Sequence, residues 1–189
     1  MSIGLVVGLG NPGGRYANTR HNAGFWFVDA VARDYRLSFR TESRFSGEVA
    51  RIQTADIDCW LLKPQTFMNR SGVAIQAMAQ FYKIPVNAIL VAHDELDLSP
   101  GTVRLKVGGG HGGHNGLRDT VQQLASAEFS RLRLGIGHPG HRDQVVDYVL
   151  SAPTDSDRHA MDEAITRSLA VIPLLFAGEF NKAMQQLHR

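Results

Sequence analysis

The 189-residue chain reads as one α/β domain, and three observations predict it. Ile3-Gly4-Leu5-Val6-Val7 is an apolar strand run that breaks at Gly8 into a polar turn and then a helical pattern, Phe25, Val28, Val31, Ala32 and Tyr35. Ala88 to Ala92 is the most strongly apolar run, and it too ends in polar residues, His93-Asp94-Glu95. No linker, repeat or low-complexity segment divides residues 1–189, a length that buries a core without staples. Open α/β sheets bind ligands beyond the carboxyl ends of their strands. The polar loops that follow strands are therefore where chemistry is expected.

The first such loop, Gly8 to Asn22, carries Asn11, Arg15, Tyr16, Asn18, Thr19, Arg20 and His21, with Thr19 or Asn22 placed to cap the helix that follows. Arg36 to Gly47 reads as a loop. Glu48 to Ile52 and Ile57 to Leu62 form a strand pair joined through Thr54-Ala55-Asp56, ended by Pro64. Gln65 to Gly72 is a second polar loop, with Ser71 as a helix cap and Val73, Ala74, Ala77, Met78 and Phe81 as a buried helix face. Thr102 to Val107 alternates as a one-sided strand and puts Arg104 and Lys106 on one face. Gly108 to Gly116 is a glycine-rich loop, and the helix after it is expected to point amide donors at an anion. Arg131 to Gly137 is a further strand. Gln144 to Leu150 reads as a short helix over the site mouth, and Thr154 to Leu187 as packing helices interrupted at Pro173 and Gly178.

Composition narrows the class. The single cysteine, Cys59, excludes an internal disulfide and sits in a strand run as a core thiol. No signal peptide or membrane-length apolar stretch is present, so a cytoplasmic protein is expected. The formal net charge is +2, yet Ser99 to Arg142 holds six Lys/Arg against Asp119 and Glu128. A basic block beside a site suits a polyanionic partner.

Three readings compete for the site. Gly8-Leu9-Gly10-Asn11-Pro12-Gly13 matches a dinucleotide fingerprint, but the helix opens late and no acidic residue follows a second strand where that motif needs one. His111-x-x-His114 and His138-x-x-His141, with Asp94 or Glu95, have metal-ligand spacing, but glycine-rich loops do not fix ligand geometry as a helix does. The third reading is hydrolysis. His21 with Asp94 makes a general base of fixed tautomer. Asn11, Asn69 and Asn115 supply amides that orient a carbonyl, and no nucleophile elbow is present. Water attacking an ester or amide of an anionic substrate fits this set. A non-catalytic RNA-binding module is the remaining alternative.

Six blocks in order then resemble the bacterial peptidyl-tRNA hydrolase family: GLGNPG at Gly8–Gly13, Tyr16 with TRHNAG at Thr19–Gly24, TFMNRSG at Thr66–Gly72, HDELDLSPG at His93–Gly101, GGGHGGHNGL at Gly108–Leu117 and RLRLGIGHPG at Arg131–Gly140. Beyond Leu150 the likeness is one of length and pattern. The resemblance implies a mixed central β-sheet with helices on both faces, a monomer, no cofactor and no metal. It implies hydrolysis of the ester between peptide and tRNA, with the acceptor stem and CCA end as the partner surface. By position, His21 is the base for water, and Asp94 holds its imidazole. Asn69 and Asn115 bind near the scissile carbonyl, and Tyr16 and Phe67 wall the pocket. Asn11 contacts the peptide backbone and rejects free aminoacyl-tRNA, while Lys106 and Arg133 hold phosphates.

Overall fold

The computed structural model spans residues 1–189. Seven strands form one sheet: β1 (Leu5–Gly8), β2 (Arg40–Glu42), β3 (Gly47–Gln53), β4 (Asp58–Pro64), β5 (Ile89–Glu95), β6 (Val103–Val107) and β7 (Ser130–Gly135). Their spatial order is β2-β3-β4-β1-β5-β7-β6. The β4-β1-β5-β7 centre is parallel, while β2/β3, β3/β4 and β6/β7 pair antiparallel. The sheet is therefore mixed, as the resemblance implied, and the loops that follow its four parallel strands emerge at one edge.

Alternation along the strands sorts the core into two layers. Val6, Leu61, Leu90, Ala92 and Leu132 face α1 (Ala23–Asp34), α5 (Asp155–Phe176) and α6 (Phe180–Leu187). Leu5, Val7, Leu62, Ile89 and Val91 face α2 (Ser71–Phe81) and α3 (Asn115–Leu124). Cys59 is fully buried, as expected of a core thiol. No helix is long and apolar enough to cross a membrane.

One close approach positions the site. Gly24, in the first turn of α1, lies so near the sheet that a methyl group there would overlap the backbone of Leu9 and Ala92. Any larger residue would lift the turn Arg20–Asn22 away from the end of β5.

Several local expectations differ from the fold. Thr19 and Asn22 do not cap α1: the Thr19 hydroxyl donates to Tyr16 O, and the Asn22 amide is used elsewhere. Ser71 is the first residue of α2 rather than its cap, its hydroxyl donating to Met68 O at 2.8 Å. Between Arg36 and Gly47 the short strand β2 pairs with β3; its polar Arg-Thr-Glu sequence carries no apolar alternation to announce it. Pro173 lies within α5 without ending it, three residues before the last helical position. There the one lost backbone bond falls near a helix end whose last carbonyls, Pro173 O, Leu174 O and Leu175 O, are taken by the amides of Ala177, Glu179 and Gly178.

Candidate active site

The loops after β1, β4 and β5, the glycine-rich loop before α3 and a short helix, α4 (Val145–Val149), enclose a cleft of about 330 Å³. Asn11, His21, Phe67, Asn69, Asp94 and Asn115 all line it. The helix expected over the mouth is present, and Val145, Val146, Val149 and Leu150 form that wall. A larger groove of about 580 Å³ between α1 and α5 holds no imidazole or amide set; there Arg158 stacks on Trp26 and pairs with Asp162. The smaller cleft is the one that collects the candidate residues.

Asp94 closes the floor. It ends the buried part of β5 and is only 4% exposed, a costly place for a carboxylate without partners. Its Oδ2 accepts from His21 Nδ1 at 2.8 Å and its Oδ1 from His114 Nε2 at 2.8 Å. Burial alone would raise its pKa, but the two imidazoles and their hydrogen bonds hold it far below the ordinary carboxylate range. Burial of His21 disfavours its imidazolium, yet the Asp94 charge and hydrogen bond outweigh this and raise its pKa above 6.5. With Nδ1 facing Asp94, His21 turns a protein-free Nε2 to the cleft. That is the orientation of a general base.

In sequence His114 reads only as a candidate metal ligand; the fold gives it another place. Its Nδ1 accepts from the amides of Gly116 at 3.1 Å and Leu117 at 3.3 Å, capping α3. An acceptor on Nδ1 fixes the proton on Nε2, where it points to Asp94. Two of the α3 amides expected to meet an anion, those of Gly116 and Leu117, are thus already occupied. His21, Asp94 and His114 bring their ligand atoms within 4.8 Å of one another, the spacing of a metal site. The donor set fits a metal poorly, because His114 Nε2 keeps its proton and both Asp94 oxygens accept hydrogen bonds. His111, His138 and His141 do not join it; each Nδ1 accepts the backbone N–H two residues on.

His93, beside Asp94, is 2% exposed, with Nδ1 donating to Asp94 O at 2.8 Å and Nε2 buried without a partner. Burial and the adjacent His114 push its imidazole down to about 4, so it is neutral.

The amides differ in freedom. Asn11 is held on its backbone by Asn22, which accepts from Asn11 N and donates to Asn11 O, both at 2.9 Å. Asn11 Oδ1 accepts from Met68 N at 2.7 Å, which fixes the amide's orientation and leaves its NH₂ as the free donor. Asn69 is exposed, while Asn115 Oδ1 accepts from Arg118 at 3.2 Å. Tyr16 does not line the cleft itself; its ring meets Phe67 edge-on at 6.4 Å, and Phe67 is 60% exposed.

Lys106 and Arg133 lie outside the cleft on the β6/β7 edge, where Arg104 faces Arg133 and Lys106 faces Arg131 across the strands. Lys106 is exposed without a carboxylate partner. Arg133 is not free: its Nε donates to Glu95 at 2.9 Å, and that bond keeps the half-buried Glu95 ionised below its ordinary range. Arg131, not singled out from sequence, is buried and donates to the carbonyls of Gly109, Gly110 and Ala127, fixing the glycine-rich loop.

Comparison with known proteins gives the family. A family model described as peptidyl-tRNA hydrolase matches residues 5–189. The peptidyl-tRNA hydrolase of Halorhodospira halophila is 56% identical over 184 residues, covering 97% of this chain and 95% of its own. That of Nitrosomonas europaea is 55% identical over 188 residues, covering 100% and 96%. The crystal structure of peptidyl-tRNA hydrolase from Acinetobacter baumannii superposes with a TM-score of 0.96 at 48% identity, covering 98% of this chain and 94% of that one. With a matching sequence over nearly its whole length and a matching fold, the chain belongs to the peptidyl-tRNA hydrolase family.

Proposed function

We propose that this chain hydrolyses the ester joining a peptide to the terminal ribose of tRNA, with water activated by His21 and without a covalent intermediate. The observation that carries the reading is the His21–Asp94 pair at the floor of a cleft lined by three side-chain amides. His21 Nε2 takes a proton from water as the oxygen attacks the ester carbonyl. The ionised Asp94 stabilises the imidazolium that forms, and the proton then passes to the leaving ribose oxygen. Asn69 and Asn115 bind near the scissile carbonyl, where amide donors meet the developing oxyanion without adding net charge. Asn11 reads the peptide's acyl oxygen through its free NH₂. Phe67, edged by Tyr16, walls the peptide side. The acceptor stem lies along the β6/β7 edge, with Lys106 and Arg133 on its phosphates. The enzyme acts as a cytoplasmic monomer, needs no metal or other cofactor, and uses the chain as a single domain over residues 1–189.

The deciding experiment is hydrolysis of N-acetyl-aminoacyl-tRNA by His21→Ala, with tRNA binding measured in parallel. General-base loss is expected to slow turnover by about 10²–10⁴-fold while binding stays near that of the unaltered protein. Turnover within a few-fold of the unaltered enzyme would sink the mechanism.

A further inference from the structure

Arg20 precedes the base on the same short turn, Arg20–Asn22, and it is buried to 7% exposure. A buried guanidinium normally finds a carboxylate. This one has none. Its Nη1 instead donates to Tyr148 O at 2.9 Å, Ser151 O at 3.3 Å and Ser151 Oγ at 2.6 Å. The backbone N–H of Arg20 donates to Ser151 O as well, at 3.0 Å. Those carbonyls belong to the C-terminal end of α4 and the residues just past it, the negative end of that helix. The guanidinium also stacks on the Tyr148 ring, 3.8 Å from its centroid. Tyr148 in turn donates its hydroxyl to Ile136 O at 2.6 Å, tying α4 to the exit of β7.

We propose that Arg20 is a positioning residue that couples the α4 lid to the base. The lid cannot leave the cleft without stripping every acceptor from a buried cation on the turn that carries His21. That cost is steep, because Arg20 Nε is already buried without a partner. Lid closure and alignment of His21 on Asp94 are therefore one event, and the aligned pair exists where α4 walls the cleft. The coupling rests on the reading of His21 as base, but its geometry does not.

The test uses Arg20→Lys, which keeps the charge but reaches fewer acceptors, with Ser151→Ala and Tyr148→Phe as milder cuts in the same clamp. Amides of residues 145–151 are expected to exchange with solvent about tenfold faster or more, the factor carried by one or two lost charge-assisted bonds. The His21 titration followed by NMR is expected to fall back toward 6.5. The titratable groups around it in the cleft are His93, Asp94 and Glu95 from β5 and His111 and His114 from the glycine loop, and all stay in place. The retained charge means that such a shift reports alignment, not a changed field. Turnover is expected to drop about 10- to 100-fold, the scale of an ångström-size misplacement, with a smaller change in KM. A role in stability alone would lower the melting temperature and leave the His21 midpoint and folded-state turnover untouched. Native lid exchange together with a native His21 midpoint in Arg20→Lys overturns the coupling. If Arg20→Lys fails to fold, the same two readings in Ser151→Ala and Tyr148→Phe decide. Neither exchange nor titration depends on catalysis, so His21→Ala assayed alongside separates failure of the clamp from failure of the base.

Discussion

Asp94→Asn is nearly isosteric, yet the hydrogen bonds around Asp94 make it a costly exchange. Asp94 receives two N–H donors at 2.8 Å, one on each oxygen. Asparagine offers one oxygen and one NH₂, so one imidazole must face a donor. His114 cannot change tautomer without abandoning the Gly116 and Leu117 amides on its Nδ1. It therefore keeps the oxygen, and His21 Nδ1 is forced to accept from the NH₂. The proton of His21 then sits on Nε2, and the side chain facing the cleft is no longer a base. Restoring the working tautomer means leaving buried amide donors unpaired, at about 2 kcal/mol. Loss of the anion beneath the imidazolium adds about 2–3 kcal/mol. Together these correspond to roughly 10³-fold in kcat/KM, measured with N-acetyl-aminoacyl-tRNA in single turnover. Adding His114→Ala to Asp94→Asn frees the amide oxygen for His21 and is expected to recover part of the loss. A single variant within about fivefold of the unaltered enzyme, or a double variant no faster than the single, would refute the tautomer lock.

The remaining predictions concern recognition and pH. Lys106→Ala is expected to lower the salt slope of tRNA binding by roughly 0.7–0.9, and Arg133→Ala by less, because Glu95 already pairs with Arg133; equal slopes would contradict that ordering. Asn11→Ala narrows the kcat/KM ratio of N-acetyl-aminoacyl-tRNA to free aminoacyl-tRNA by roughly 5- to 150-fold, chiefly by slowing the blocked substrate. Asn11→Asp slows it further, since a carboxylate accepts from Met68 N but cannot donate to an acyl oxygen; an unchanged ratio in both variants removes Asn11 as the reader. His93, pushed down to about 4 in the fold, takes up a proton in the unfolded chain first. Its stabilising contribution is therefore full above pH 6.5 and lost as pH falls toward 4, with a slope approaching about 1.4 kcal/mol per pH unit. Denaturant unfolding of His93→Leu is expected to show a flatter stability profile in that window, whatever its absolute stability, and an equally steep one would be evidence against a buried neutral imidazole.

Most of the elements, and the kinds of chemistry they carry, were legible in the sequence. Apolar runs such as Leu5-Val6-Val7 and Ile89-Leu90-Val91-Ala92 became strands because short, β-branched runs bounded by turn residues bury well at the centre of a sheet. The polar residues beyond their ends marked where a site would open. Gln144 to Leu150 was legible as a lid helix, and the order of the motifs pointed to the family. Which polar group meets which became visible only in the fold. His21 and Asp94 are 73 residues apart, Arg20 and Ser151 are 131, and Asn11 and Met68 are 57. No local periodicity encodes such pairs. His114 is the clearest case: in sequence it is one imidazole of the His111-x-x-His114 spacing, while in the fold it caps α3 on one nitrogen and holds Asp94 with the other. Arg133 is the converse, a basic residue that composition counts as free and the fold neutralises with Glu95. Hydrogen bonds are short-ranged and directional, so tautomer, amide orientation and available charge are fixed only when packing brings distant loops within 3 Å or so of one another.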